Sequence, residues 1–231
     1  MKKLALVLAL TSLVGMAHAE VVGTTGVDSN FVFRGVSQSA NAPSVFAGAT
    51  YEHGGFYLGT IEHSVSGTQS GAGIRSDVVA GYGIQLGQVK VDVGSQNYFG
   101  ARQGTLNTNT NEVFVSAKYN IASVKYSRSL GDEFGLANSS GSSYLQTDLA
   151  YYIPQTAFAL TGHAGRQIDR SNGAFNHNDY SVGTQYKVGR WNLTAQVIVD
   201  SNKTAQFSNA ELVNGQNLAK RQVVLGVSTQ F

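Results

Sequence analysis

The sequence predicts an all-β protein, a transmembrane antiparallel up-and-down β-barrel of about twelve strands. Three observations predict it. Apolar and polar residues alternate with a period of two through most of the chain. The alternating segments are joined by connections that are short and long by turns. The leading residues carry the marks of an export signal.

That leading segment comes first in order. Lys2 and Lys3 form a positive start, Leu4 to Val14 an apolar run, and Ala17-His18-Ala19 a small-x-small cleavage site. Cleavage there divides the chain into a signal peptide, 1–19, and one barrel domain, 20–231. The apolar run is too short for a spanning helix, which needs about 20 apolar residues, and no later segment approaches that length. Without Lys2 and Lys3, 14 basic residues balance 14 acidic ones and no basic run remains, which argues against nucleic acid as a partner. The absence of cysteine excludes a thiolate metal site. Glycine at 27, proline at 2, and Tyr and Phe at 11 each suit sheets, because Gly weakens a helix interior by roughly 1 kcal/mol relative to Ala.

The strands follow. The first runs from Val21 to Phe33 and the second from Ser44 to Tyr51. The third, Phe56 to Val65, has an ambiguous facing, since Tyr57 and Ile61 compete with Phe56 and Leu58. In the fourth, Val78, Ala80, Tyr82 and Ile84 oppose Asp77, Val79, Gly81 and Gly83; in the fifth, Val89, Val91 and Val93 oppose Lys90, Asp92 and Gly94. The sixth sets Val113, Val115, Ala117 and Tyr119 against Glu112, Phe114, Ser116 and Lys118, and Ile121 to Ser129 is the seventh. Leu145, Leu149 and Tyr151 mark the eighth, Phe158, Leu160, Gly162 and Ala164 the ninth, and Tyr180, Val182, Tyr186 and Val188 the tenth. The eleventh places Trp191, Leu193, Ala195, Val197 and Val199 opposite Asn192, Thr194, Gln196, Ile198 and Asp200, where Ile198 alone breaks the rule. The last places Val223, Leu225, Val227 and Phe231 on one face.

Short connections fall at Glu52 to Gly55, Leu86 to Gln88, Asn120, Pro154-Gln155 and Gly189-Arg190. Long ones fall at Gly35 to Pro43, Ser66 to Gly73, Gly100 to Thr110, Gly131 to Ser143, Gln167 to Asp179 and Ser201 to Lys220. In a membrane barrel the apolar face meets lipid and the polar face lines a lumen. Tyr119, Tyr126, Tyr151, Tyr186 and Trp191 are expected near the turn end, where a membrane interface favours aromatics. A strand ending in Phe231 has the form of an outer-membrane assembly signal, although Thr229 departs from the apolar residue usual two places earlier.

Ser29-Asn-Phe-Val-Phe-Arg-Gly-Val-Ser-Gln-Ser39, followed by Gly55-Phe-Tyr-Leu-Gly-Thr60, resembles the TorF family of porin-like proteins. Asn30, Phe31, Phe33, Arg34, Gly35, Ser37 and Gln38 carry the likeness, and Val36 replaces the usual Ile. The resemblance implies a bacterial outer-membrane barrel that conducts small solutes. Arg34 lies where the first long loop begins and suits an anchor to lipid headgroups or to a loop carboxylate.

Under the proposed facing Asp77, Lys90, Asp92, Glu112, Lys118, Lys125, Asp148, Lys187 and Asp200 point inward. Charges of both signs across a pore act on polar solutes, or they pair with each other and brace the lumen. Small inward residues such as Gly81, Gly83, Gly94, Ser116 and Gly226 leave room for a narrow wet passage. His53, His63, His163 and His177 show no ligand spacing and no neighbouring nucleophile, so no metal, cofactor or catalytic residue is expected. The expectation is passive diffusion of small hydrophilic solutes through a barrel of a Gram-negative outer membrane, with lipids and the assembly machinery as partners. The alternatives are a barrel hydrolase with a Ser/His or Asp/His site near the loops, using His63 or His163, and a closed barrel that binds through its loops. Solute and oligomeric state stay open.

Overall fold

The computed structural model describes residues 19–65, 73–100, 109–171, 173–201, 212–213 and 216–231. Most of the export-signal segment, 1–18, lies outside the described residues, as do loop residues 66–72, 101–108, 172, 202–211 and 214–215.

Strand β1 (Glu20–Asp28) opens the wall, and β2 (Val32–Phe33) and β3 (Val36–Ser37) form a hairpin within the first long loop. The wall continues with β4 (Ser44–His53), β5 (Phe56–Ser64), β6 (Ile74–Leu86), β7 (Val89–Gly100), β8 (Thr110–Tyr119) and β9 (Ala122–Ser129). It goes on through β10 (Ser143–Tyr152), β11 (Phe158–Ile168), β12 (His177–Val188) and β13 (Trp191–Asp200). The pair β14 (Leu212–Val213) and β15 (Gln216–Asn217) stands in the last loop, and β16 (Gln222–Gln230) closes the barrel between β13 and β1. Twelve antiparallel strands thus form one closed wall, as the sequence predicts.

Closure leaves no exposed edge. The Gly23 N–H donates to the Phe231 carbonyl at 2.9 Å and the Phe231 N–H returns to Gly23 at 3.1 Å. The Phe231 ring lies over Gly23, where a Cβ would collide with it. At the same end the strands turn tightly. Gly54 and Gly55 take φ of +57° and +92° between β4 and β5, the positive pair that a two-residue hairpin of matching twist needs.

The wall is inside out relative to a soluble sheet. Val21, Phe56, Leu58, Leu145, Val182, Val223 and Leu225 are exposed on the outer face, while Asp77, Lys90, Asp92, Glu112 and Asp179 are buried on the inner one. The ambiguous β5 resolves the same way, with Phe56 and Leu58 outside and Tyr57 and His63 inside. Aromatics collect outside the turn end, including Tyr119, Tyr151, Tyr186, Trp191 and the pairs Phe56–Tyr82 and Phe158–Tyr186, whose centroids are 4.6 Å apart. Tyr126 is not among them. It sits mid-strand, paired with Val115 and Leu145, because β9 begins at Ala122 and four residues raise it roughly 13 Å along the strand. Towards the loop end the outer face becomes polar, and Glu62 bonds Ser76 and Asn111 bonds Asn97 across strands. From Val89 to Phe99 the chain rises about 34 Å, or about 26 Å along the axis at a tilt of ~40°, the height of an outer-membrane apolar band.

The boundary of the first strand differs from expectation. It stops at Asp28 instead of running to Phe33. Beyond it Phe31 and Phe33 turn into the barrel, because aromatic and guanidinium partners wait there.

Candidate functional site

The lumen has two storeys, and the first long loop makes the upper one. Its β2–β3 hairpin turns at Arg34 and Gly35, with φ of +48° and +82°, and reaches into the barrel mouth. Gly35 presses against the wall so closely that a Cβ would stand 2.8 Å from both Asp179 and Asp200 side-chain atoms. Asn30 holds the loop's base: its carbonyl accepts from Ser37 Oγ at 2.6 Å and Ser39 Oγ at 3.0 Å, and its amide donates to Gln222. Gln222 in turn donates to the Gly35 carbonyl at 3.2 Å. Val36 packs on Leu218 and Ala219 of the last loop.

Two guanidinium groups organise this plug. Arg34 donates to Glu112 at 2.7 Å, to Glu133 at 3.1 Å and to Gln167 Oε1 at 3.1 Å. Its Cζ lies 4.2 Å from the Tyr144 ring centre and 4.9 Å from that of Phe33. Arg75 holds Asp77 through two bonds of 2.7 and 3.0 Å and stacks on Phe33 at 4.0 Å and Tyr98 at 4.8 Å. Aromatic faces between the two cations supply attraction and screen them from each other. Burial works against the charge of Arg34, and Glu112, Tyr98 and Glu133 outweigh it, so the guanidinium is held above its ordinary value. Glu133 meets the same burial as an anion, and its carboxyl is pushed up to about 7 despite Arg34. Arg34 is therefore anchored to a loop carboxylate and a wall carboxylate, and not to lipid headgroups.

Below the plug lies a cavity of about 270 Å³ with Asn30 and Phe31 in its ceiling. Six of the residues read as pore-lining meet there: Asp77, Lys90, Asp92, Lys118, Lys125 and Asp148. Glu112 and Asp200 are buried beside the plug instead, and Lys187 stands exposed near the turn end of β12. The family motif is brought together as one unit. Arg75, Tyr98, Glu133, Tyr144, Gln167 and Gln222 complete it and were missed by sequence reasoning; Arg75 shares the face of Asp77, so reading the fourth strand two residues longer would have found it.

The inward glycines leave less space than expected. Tyr57 lies over Gly81, Phe114 over Gly94 and Tyr144 over Gly165, so the missing side chains make room for neighbours that cross the wall. His163 is clasped by Asp148 at 2.6 Å and Asp179 at 2.9 Å. His63 stacks on Phe31 with ring centres 3.9 Å apart. Neither ring has a serine hydroxyl bonded to it among the described residues.

A closed twelve-stranded wall with charged side chains on its inner face and a loop folded into its mouth defines a porin-like barrel. A family model described as "Bacterial protein of unknown function (Gcw_chp)" matches residues 15–231, so the chain belongs to the Gcw_chp family. Two solved structures share the fold. One is a KdgM porin in complex with disordered oligogalacturonate, 12% identical, with a TM-score of 0.56 over 93% of this chain and 99% of that one. The other is a NanC porin, 11% identical, with a TM-score of 0.56 over 92% and 99%. No curated protein sequence matches the chain.

Proposed function

We propose that this chain is a porin-like channel of a bacterial outer membrane, passing small hydrophilic solutes through a lumen narrowed by its first long loop. The observation that carries this reading is the vertical arrangement, a cavity of about 270 Å³ that holds six charged side chains and is roofed by the Arg34 hairpin. The hairpin sets the aperture, and Asp77, Lys90, Asp92, Lys118, Lys125 and Asp148 line the path beneath it. Two porins of the same fold and the resemblance of Ser29 to Ser39 to the TorF family support it. On this reading residues 1–19 direct export and are removed, the turn end faces the periplasm, and the strand ending at Phe231 is read by the assembly machinery.

Planar-bilayer recording tests the proposal. The native barrel gives a small, well-defined conductance, and replacing residues 30–38 with a short Gly/Ser linker raises it severalfold. A folded barrel that is silent in both forms overturns the channel reading and leaves a closed barrel.

A further inference from the structure

The charges below the plug are not matched evenly. Among the carboxylates, Asp77 is held by Arg75, Asp148 by His163 and by Gln146 at 2.7 Å, and Asp92 accepts from the Tyr57 hydroxyl at 2.6 Å. The lysines of the same cavity stand differently. Among the described residues Lys90, Lys118 and Lys125 have no carboxylate within salt-bridge distance. Lys125 donates to Gln96 Oε1 at 2.9 Å and lies 4.1 Å above the Phe114 ring centre. Lys90 is 9% exposed and its ammonium has no hydrogen-bond partner among the described residues.

Sheet register gathers these three cations. Lys90 and Lys118 are direct partners across β7 and β8, which sets their Cβ atoms about 5 Å apart on the inner face. Lys118 pairs with Ser123 and Ser116 with Lys125, so Lys125 is one diagonal step from Lys118, about 7 to 8 Å away. Like charges directly opposite each other destabilise a sheet, and a buried ammonium without a partner costs still more. Gly83 on β6 admits the arrangement, because a Cβ there would stand 2.9 Å from the Lys90 Cε. Of the other inward carboxylates, Glu112 stands higher on β8 and is held by Arg34, Glu52 lies at the turn end of β4, and Asp28 lies across the lumen at the loop end of β1. Across the barrel β13 and β16 present Thr194, Gln196, Ser228 and Gln230 to the cavity, a neutral face of hydroxyls and amides.

We propose that Lys90, Lys118 and Lys125 form an anion site inside the barrel, which takes a small organic acid whose carboxylates meet the lysines while its hydroxyl groups bond the opposite wall. An ammonium is a compact point charge with three donors, suited to a carboxylate that arrives and leaves, and less committed in geometry than an arginine fork. A channel needs such a site, favourable enough to enter and weak enough to leave. The consequence for transport rests on the channel reading; the site itself does not.

Citrate, with three carboxylates and a hydroxyl, is the probe. Isothermal titration of the purified full barrel in neutral detergent is expected to show millimolar binding. Lys90→Gln with Lys118→Gln weakens it at least tenfold, while Lys90→Arg keeps most of it. Equal binding by native and double variant, or no binding by either, overturns the site. Should the double variant fail to fold, Lys118→Gln alone gives the same comparison with a smaller loss. A salt-gradient recording then separates the two ideas. Anion preference that weakens in the double variant supports the site, and a conducting barrel whose selectivity is unchanged by the substitutions overturns it while sparing the channel. A silent barrel that still binds citrate through these lysines overturns the channel and spares the site.

Discussion

Arg34 occupies a backbone region that a non-glycine residue adopts only when its surroundings hold it, and the holding groups are two carboxylates, an amide and two aromatic rings. Buried ion pairs contribute little when whole and cost much when halved, because the surviving charge has lost its counter-ion without regaining water. Arg34→Met strands Glu112 and Glu133, which are 1% and 3% exposed, and is expected to weaken docking of the hairpin by about 3 to 5 kcal/mol. The readout is proteolytic nicking of residues 29–43 in the folded barrel, faster in the variant than in the native protein; equal rates would show that Arg34 does not hold the loop. Glu133 gives the same contact a pH dependence. Burial, outweighing Arg34, lifts its carboxyl from an ordinary 4.5 to about 7, so the docked state binds a proton more tightly than a released one in which Glu133 regains water. Docking gains from this group fully below about pH 4.5 and loses the gain as pH rises through about 7. Conductance is therefore expected to be lower at pH 5 than at pH 8, with Glu133→Gln flattening the difference. A greater conductance in acid, or an undiminished pH response in the variant, would contradict the assignment.

The elements differ in how far their local sequence determines them. Strands β8, β13 and β16 were legible because each carries a two-residue alternation with few exceptions, Ile198 in β13 and Thr229 in β16 among them, whose apolar half meets one medium. In β6 and β7 the alternation was legible over Asp77–Ile84 and Val89–Gly94, while the strands reach Ile74 and Gly100, because Ser76 in β6 and Ser95 and Asn97 in β7 put polar residues on the outer face. Asn97 belongs there only because Asn111 pairs with it near the loop end, a partner that local periodicity does not register. The opposite error fell on β1. Phe31, Val32 and Phe33 have strand propensity, yet they leave the wall for His63 and Arg75, which lie some 30 to 40 residues away in the chain. The lower cavity was readable from facing alone, since Asp77, Lys90, Asp92, Lys118, Lys125 and Asp148 follow from parity. The plug was not. Arg34 meets Glu112 and Glu133 at separations of 78 and 99 residues, and nothing near Arg34 in sequence announces either.

At the scale of the whole molecule the physical claim is that the solvent outside is hydrocarbon and the solvent inside is water. The apolar side chains that would form a core in a soluble sheet are the exposed ones here, and the small apolar clusters that are buried belong to the plug, around Val36 with Leu218 and around Phe31 with Val65. A charge placed on the outer wall must therefore enter lipid, whereas one placed on the inner wall joins charges already there. Leu225 on β16 is 56% exposed between Ala195 and the segment following β1, and Ser228, three residues on, lines the cavity. Leu225→Arg is expected to destabilise folding into bilayers by about 2 to 4 kcal/mol, while Ser228→Arg changes it by less than about 1 kcal/mol. Urea titration of refolding into phospholipid vesicles measures both. Because the two positions share one strand and differ in facing, general damage to β16 would affect them alike, and only a boundary between lipid and lumen separates them. Equal penalties would mean that the wall does not divide two media, and the barrel would then have to be a soluble one whose outer surface is covered by something other than membrane.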